Sequence, residues 1–382
     1  MYILTRYVVW EVLKLFLAAL ISLTMVVTLA MGVKEGLSHG LPPAVILRTL
    51  PCMVPEMFGI TIPVAMLFSV SSVFGRMTGT NEIVAIKSLG ISPMAVVWPI
   101  LVLACFLSLG TVWMYEIAAT WSKPNYYRIA YDSLEEIAYS ALRMNHSYSG
   151  DQFSATVVRV DGRTLIRPWI MINAQPGQPR IALNAETAEL STDKEAKLLN
   201  ITCTNFEFDF GGPSGSSEHT MTRSIPLPSN TLESFRFHRD WVAMRVIAAR
   251  ISELEGMITR LEKMRDAKIA LKKDPKPEDD EIANKSFWIR RLRAEPYRRW
   301  ANGFTCLCFT MIGIPVSMIL RHTDVLTNFF ACFLPILSFY YPLLMFSEDL
   351  AISGKLPPIA FWAGNALLCI AASFLLSRVV KH

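Results

Sequence analysis

Six apolar runs, at residues 15–31, 52–74, 96–114, 303–320, 327–346 and 359–376, hold one charged residue between them, Glu56, and they limit what this chain can fold into. Lipid offers a backbone no hydrogen-bond partner but itself, so a run of roughly 20 such residues that spans a membrane has to be helical. The first run is too long for a signal-peptide core and no A-x-A cleavage site follows it, so it is expected to be retained. Ahead of it, Arg6, Glu11 and Lys14 alternate with Tyr7, Val8, Trp10 and Leu13, the pattern of a helix lying at a membrane interface. With 52% hydrophobic and 18% charged residues among 382, the chain is not a purely soluble protein. A net charge of +5 is small over this length and gives no sign of a nucleic-acid partner.

An even number of spans puts both termini on one face, and Arg6, Lys14, Arg76, Lys87, Arg321, Arg378 and Lys381 flank the span ends on that face. The excess of positive charge makes it the cytoplasmic one, so the long segment between the third and fourth spans is expected outside. Arg290, Arg291, Arg293, Arg298 and Arg299 lie in that segment, which the rule permits because it counts short loops and not long translocated domains.

The outer segment changes period as it goes. A helix is expected to continue out of the membrane over 115–143, interrupted near Lys123-Pro124. Residues 153–160, 163–173, 179–190, 197–210 and 220–227 then read as β-strands, separated by Asp161-Gly162, Gln175-Pro176-Gly177 and the 211–215 glycine-rich stretch. In the fourth run Leu199, Ile201 and Cys203 are apolar at odd positions, but Phe206, Phe208 and Phe210 are apolar at even ones. That phase change requires a bulge or bend near Thr204-Asn205, a feature that curls a sheet. Such a sheet has either an ordinary core or a concave apolar face that carries a lipid chain. Next, Ile247, Ile251, Leu254, Ile258 and Leu261 repeat with heptad-like spacing. A charged, proline-broken turn at 272–280 follows, then a basic helix from about 281 into the fourth span: a helical hairpin standing on the membrane.

Chemical motifs are lacking. There is no G-x-x-x-x-G-K-[ST], so the chain is not its own P-loop ATPase, and no H-E-x-x-H, G-x-S-x-G or G-x-G-x-x-G occurs. The six histidines are scattered without metal-ligand spacing, and Cys306-x-Cys308 sits in an apolar span where small core residues are the plainer reading. Of seven cysteines, only Cys203 lies outside the apolar runs, so no disulfide can form within the outer segment. The connection between the second and third spans is more informative. Thr80 or Asn81 can cap a short helix over 81–90, Glu82 suits its positive end, Lys87 its last turn and Gly90 its stop, with Ile83, Ile86 and Leu89 along one apolar face. A capped amphipathic helix parallel to the inner surface is how a transporter plugs into a cytosolic ATPase.

These features together resemble the LptF/LptG (YjgP/YjgQ) permease family. The resemblance is carried by Arg6-Tyr7 with Glu11, by NEIVAIKSLGIS at 81–92, by Ala185-Glu186 with Ala188 and Leu190, by Glu295 with Arg298-Arg299, by Gly313-Ile314-Pro315 and by LPPIAFWAGN at 356–365. It implies an α-helical membrane protein with six transmembrane helices in a three-plus-three arrangement and an inserted all-β, jellyroll-like periplasmic domain; the helical hairpin read from the residues, from about 238 to 295, is longer than is usual in the family and departs from its pattern. The expected divisions are 1–115, 116–237, 238–300 and 301–382. The implied function is the permease of a lipopolysaccharide-exporting ABC transporter in the inner membrane, and not an enzyme. The implied partners are an LptB-like ATPase dimer, a second LptF/LptG-type permease, an LptC/LptA-like bridge and lipopolysaccharide. ATP and Mg would be used by the partner ATPase, with no cofactor bound by this chain. Glu82, Ile83, Ile86, Lys87, Leu89 and Gly90 become candidates for the ATPase contact. Lys34, Phe206, Phe208, Arg298 and Arg299 become candidates for lipid contact, the two arginines through phosphate. A membrane-anchored assembly scaffold whose β-domain binds periplasmic proteins, and a membrane enzyme acting on lipid headgroups through Glu56, Glu348 and Asp349, are the competing classes.

Overall fold

The computed structural model describes residues 2–38, 42–132, 134–149, 153–172, 181–193, 198–209, 214–217, 220–226, 242–270, 276–320 and 324–381. Among the described residues, six helical stretches are long and apolar enough to cross a membrane. They are carried by α1 (Tyr2–Ser38), α2 (Pro43–Gly79), α4 (Met94–Ile117), α8 (Lys276–Leu320), the pair α9 (Val325–Pro335) and α10 (Tyr341–Ile352), and α11 (Ala363–Lys381). The 7-residue α3 (Glu82–Ser88) sits between α2 and α4. The N-terminal amphipathic stretch runs into the first span as one helix, because nothing in its sequence breaks it. The chain divides into two compact units, one of residues 1–28, 54–123 and 237–382, the other of residues 29–53 and 124–236.

In the first unit the helices approach closely where side chains are small. A Cβ on Gly303 of α8 would fall 2.2 Å from Val112 Cγ2 and 3.1 Å from the Val112 nitrogen of α4, so only glycine lets these two helices meet here. Beside it the Leu307 N–H donates to Ser108 Oγ, 3.1 Å away. The Tyr340 hydroxyl, in the π-helical turn Ile336–Tyr340, hydrogen-bonds Thr305 of α8 and donates to Asn365 Oδ1 of α11. Interhelical polar contacts of this kind add to packing where lipid removes the hydrophobic drive. The expected hairpin is present as α7 (Met244–Ala270) against the N-terminal half of α8. Ile247, Leu254 and Leu261 are buried with Ile289 and Leu292 alongside, and Ile251 and Ile258 are partly covered, so the heptad stripe is absorbed by its own chain. At 45 residues α8 is about 68 Å long, more than twice the hydrocarbon thickness. It begins at Lys276, earlier than expected, because Pro277 and the acids Glu278 and Asp279 suit a first turn; the 271–275 part of the expected turn lies outside the described residues. Similarly, the interruption expected at Lys123-Pro124 is a π-helical turn, Ala118–Ser122, that passes into α5 (Lys123–Asp132) without ending the helix. α6 (Leu134–Asn145) follows.

The described residues of the second unit form a curled antiparallel sheet of nine strands: β1 (Ser147–Ser149), β2 (Phe153–Thr156), β3 (Arg159–Asp161), β4 (Thr164–Ile166), β5 (Trp169–Ile172), β6 (Ile181–Asp193), β7 (Leu198–Asp209), β8 (Ser214–Ser217) and β9 (Met221–Pro226). The first two expected runs are each broken in two. The second breaks at Arg167, which has φ 47°, and at Pro168, which has no N–H for a ladder. Ser214 and Gly215, expected in a turn, pair with β7, and β1 was not anticipated. The bend expected near Thr204-Asn205 is present as a kink without a register slip. Ala185 faces Phe206 and Thr187 faces Thr204, while Asn205 between them has φ 51° and its Nδ2 donates to Glu186 Oε2 at 2.7 Å. Both long strands change phase there, with Leu183, Ala185, Ala188 and Leu190 buried on β6 and Ile201, Cys203 and Phe206 on β7. Both also change outer partners, β6 from β5 to β4 and β7 from β8 to β9, which is how the sheet curls. α6 packs into the interior through Ala138, Tyr139 and Leu142, and the Tyr139 hydroxyl donates to the Arg163 carbonyl at 2.6 Å. Burial raises the Tyr139 pKa above the ordinary phenol range.

Candidate functional site

The short helix α3 is built by its neighbours as much as by its own sequence. The capping expected of Thr80 or Asn81 does not form: Asn81 takes φ 62° and makes no side-chain cap bond, because the left-handed residue is what turns the chain from α2 straight into α3. Thr80 instead hydrogen-bonds the Glu82 carboxylate at 2.9 Å and the Arg76 carbonyl. Arg76, in the last turn of α2, pairs with Glu11 of α1. Gly90, at φ 74°, ends the helix as expected of a C-terminal glycine. Lys87 Nζ donates to the Val379 carbonyl in α11 at 3.0 Å, a cation among the last carbonyls of a helix.

The apolar face divides differently from the expectation. Ile83 and Ile86 are buried in the core with Val8, Val12, Phe74 and Met77. Leu89 is 76% exposed and Val84 51%. Ile83 and Ile86 therefore hold the helix on, and Val84 and Leu89 are the large apolar groups it displays. Val84 was missed because its place on a seven-residue helix is decided by which face the core takes. The expected grouping of Leu89 with the two isoleucines is corrected for the same reason.

At the other end of α4 lies an ion cluster built around two buried residues, Glu295 and Arg299. Arg298 makes a two-pronged contact with Glu295, at 2.9 and 2.7 Å. Arg299, 2% exposed, donates from Nε to Glu295 at 2.8 Å, from Nη1 to Glu116 at 2.8 Å and from Nη2 to the Val242 carbonyl at 2.8 Å. Glu116 also accepts from the Met244 N–H, at 3.0 and 3.2 Å through its two oxygens. The expectation that Arg299 meets lipid phosphate is corrected by this geometry: all three of its nitrogens face protein acceptors, and the charge is matched internally. Arg298 is engaged by Glu295 in the same cluster. The i,i+3 and i,i+4 spacing of Glu295 with the arginines was a legible signal; Glu116, 183 residues from Arg299, gave none. Glu56, a candidate of the competing membrane-enzyme reading, pairs with Lys123 at 3.0 Å.

Of the other lipid candidates, Lys34 is exposed near the end of α1. Phe206 is buried in the core of the sheet. Phe208 faces Leu183 in the ladder, and its side chain lies outside the described part, as does all of Phe210.

Six membrane-length helices, a curled sheet between the third and fourth, and a short surface helix displaying Val84 and Leu89 describe a polytopic membrane protein of the transporter class. The family model for the lipopolysaccharide export system permease LptF/LptG matches residues 6–378, nearly the whole chain, and the chain belongs to that family. The family is the inner-membrane permease of the lipopolysaccharide export system, a transporter subunit and not an enzyme. No curated protein matches the chain.

Proposed function

We propose that this chain extracts lipopolysaccharide from the inner membrane and passes it through the curled sheet toward the outer membrane. In this reading both termini and α3 are cytoplasmic, the sheet is a jellyroll-like periplasmic domain, and two such permeases pair around the lipid. An LptB-like ATPase dimer binds and hydrolyses ATP with Mg, this chain binds no cofactor, and an LptC/LptA-like bridge receives the lipid. The division into 1–115, 116–237, 238–300 and 301–382 describes the functional segments. Glu82, Lys87, Leu89 and Gly90 contact or shape the ATPase seat, and Ile83 and Ile86 anchor it. Lys34, Phe206 and Phe208 are the lipid contacts.

The observation that carries this reading is α3: a helix fastened from below by Ile83, Ile86 and Lys87, with its outer apolar residues uncovered. Purification in mild detergent is expected to bring a separate ATPase with the chain, and a preparation of the chain alone that hydrolyses ATP would contradict it. One observation favours the scaffold alternative. α6 side chains already share the sheet interior with Phe206, so a lipid chain can enter only if α6 yields. A photocrosslinker at Phe206 distinguishes the two, giving lipid adducts for export and only protein adducts for a scaffold.

A further inference from the structure

Glu116 serves two elements at once. It is the counter-ion of Arg299 on α8, and it accepts from the Met244 N–H that opens α7. The residue before that helix, Ala243, has no side-chain acceptor, so the first orphan donor of α7 is capped by a carboxylate from α4. Arg299 then closes the loop by donating to the Val242 carbonyl, so that both strands of the hairpin foot are tied to one residue of the third span. The cluster contains matched acids and bases, which excludes it as a seat for a further anion. Glu295 and Arg299 are buried, and Glu116 and Arg298 are partly covered, so the contacts at the centre of the cluster are strengthened by their low-dielectric surroundings.

Glu116 stands in the last turn of α4, and the first turn of α4 follows α3 after a five-residue connection. α4 runs as one helix from Met94 to Glu116, about 33 Å, with Pro99 inside it near the α3 end, so the stretch from Pro99 to Glu116 is the stiff part, and it is packed along α8 at Gly303. We propose that α4 is a connecting rod: displacement of α3 is carried to Glu116, which moves the foot of the α7–α8 hairpin, so that the hairpin is a moving part of the transport cycle. This rests on the reading of α3 as the ATPase contact. Glu116 and the Met244 N–H are positioning groups in it and touch no substrate.

Two variants cut the link in different places. Glu116→Gln keeps an acceptor and removes the charge that holds Arg299. Met244→Pro removes the donor at the first helical position, where proline is tolerated, and leaves the ion pair. Each is tested in the full complex with its ATPase and partner permease in proteoliposomes, by measuring ATP hydrolysis and lipopolysaccharide delivered. The expected result is a fall in lipid delivered per ATP of about fivefold or more, with ATP hydrolysis and subunit composition kept. A folded variant of either kind with an unchanged ratio overturns the proposal. Should both fail to fold, spin labels at the exposed Phe106 of α4 and Ser252 of α7 in the otherwise unaltered chain decide it. A constant distance within that pair, with both labels shifting against a third at the exposed Leu367 of α11 between ATP-bound and ATP-free states, supports the rod; independent movement of the hairpin, or no movement of either label, overturns it. Glu82→Lys, run in parallel, separates the two layers of inference. If Glu82→Lys keeps both attachment and delivery, the assignment of α3 fails; if it is inactive while Glu116→Gln delivers normally, only the rod fails.

Discussion

Leu89→Ala and Ile86→Ala remove similar apolar volume from the same short helix and should have opposite effects. Leu89 is 76% exposed and Ile86 7%. Burying a whole leucine side chain is worth about 1.5–3 kcal/mol, so covering the exposed three quarters against an ATPase contributes about 1–2 kcal/mol. Leu89→Ala is therefore expected to weaken ATPase attachment by about 5- to 30-fold and to leave thermal stability unchanged, since little of the side chain is covered in the isolated chain. Ile86→Ala opens a cavity among Val8, Val12 and Met77, with an expected loss of about 2–5 kcal/mol in local stability. Its effect on ATPase binding comes through loosening of the seat. The assay is titration of the purified ATPase onto the permease in nanodiscs, beside thermal unfolding and hydrogen exchange of 82–88. Retained ATPase affinity in Leu89→Ala, or lost affinity in a fully stable Ile86→Ala, would refute the division of the helix into an anchoring and a displayed face.

Two further predictions concern the sheet. Burial pushes the Cys203 thiol from near 9 up to about 11, so the fold favours its neutral form. The stabilisation this gives is complete below pH about 9 and is lost as pH rises toward 11. Maleimide labelling of Cys203 at pH 8 is expected only after unfolding, and Cys203→Ala should flatten the alkaline decline in sheet stability. At Asn205, φ 51° disfavours a branched side chain. Asn205→Val should destabilise β6 and β7 by roughly 1–2 kcal/mol, read as faster amide exchange of both strands. Asn205→Gly, which relieves the backbone and loses only the bond to Glu186, should cost less.

Apolar length alone determined the six spans, because lipid leaves the backbone no alternative to the helix, and the 4-3 spacing from Ile247 to Leu261 determined the hairpin contact. The phase change between Cys203 and Phe206 was enough to locate the bend in β7. The matching phase change on β6, between Ala185 and Ala188, drew no notice until the ladder set the two strands side by side. What the tertiary structure decided was which groups face one another. Arg299 reads from its neighbours as a free phosphate-binding cation, and it is buried because Glu116, far away along the chain, arrives opposite it. Leu89 reads as part of an apolar stripe with Ile83 and Ile86, and it is displayed because the core takes only one side of so short a helix. Burial and charge pairing are set by residues distant in sequence, and local periodicity carries no record of them.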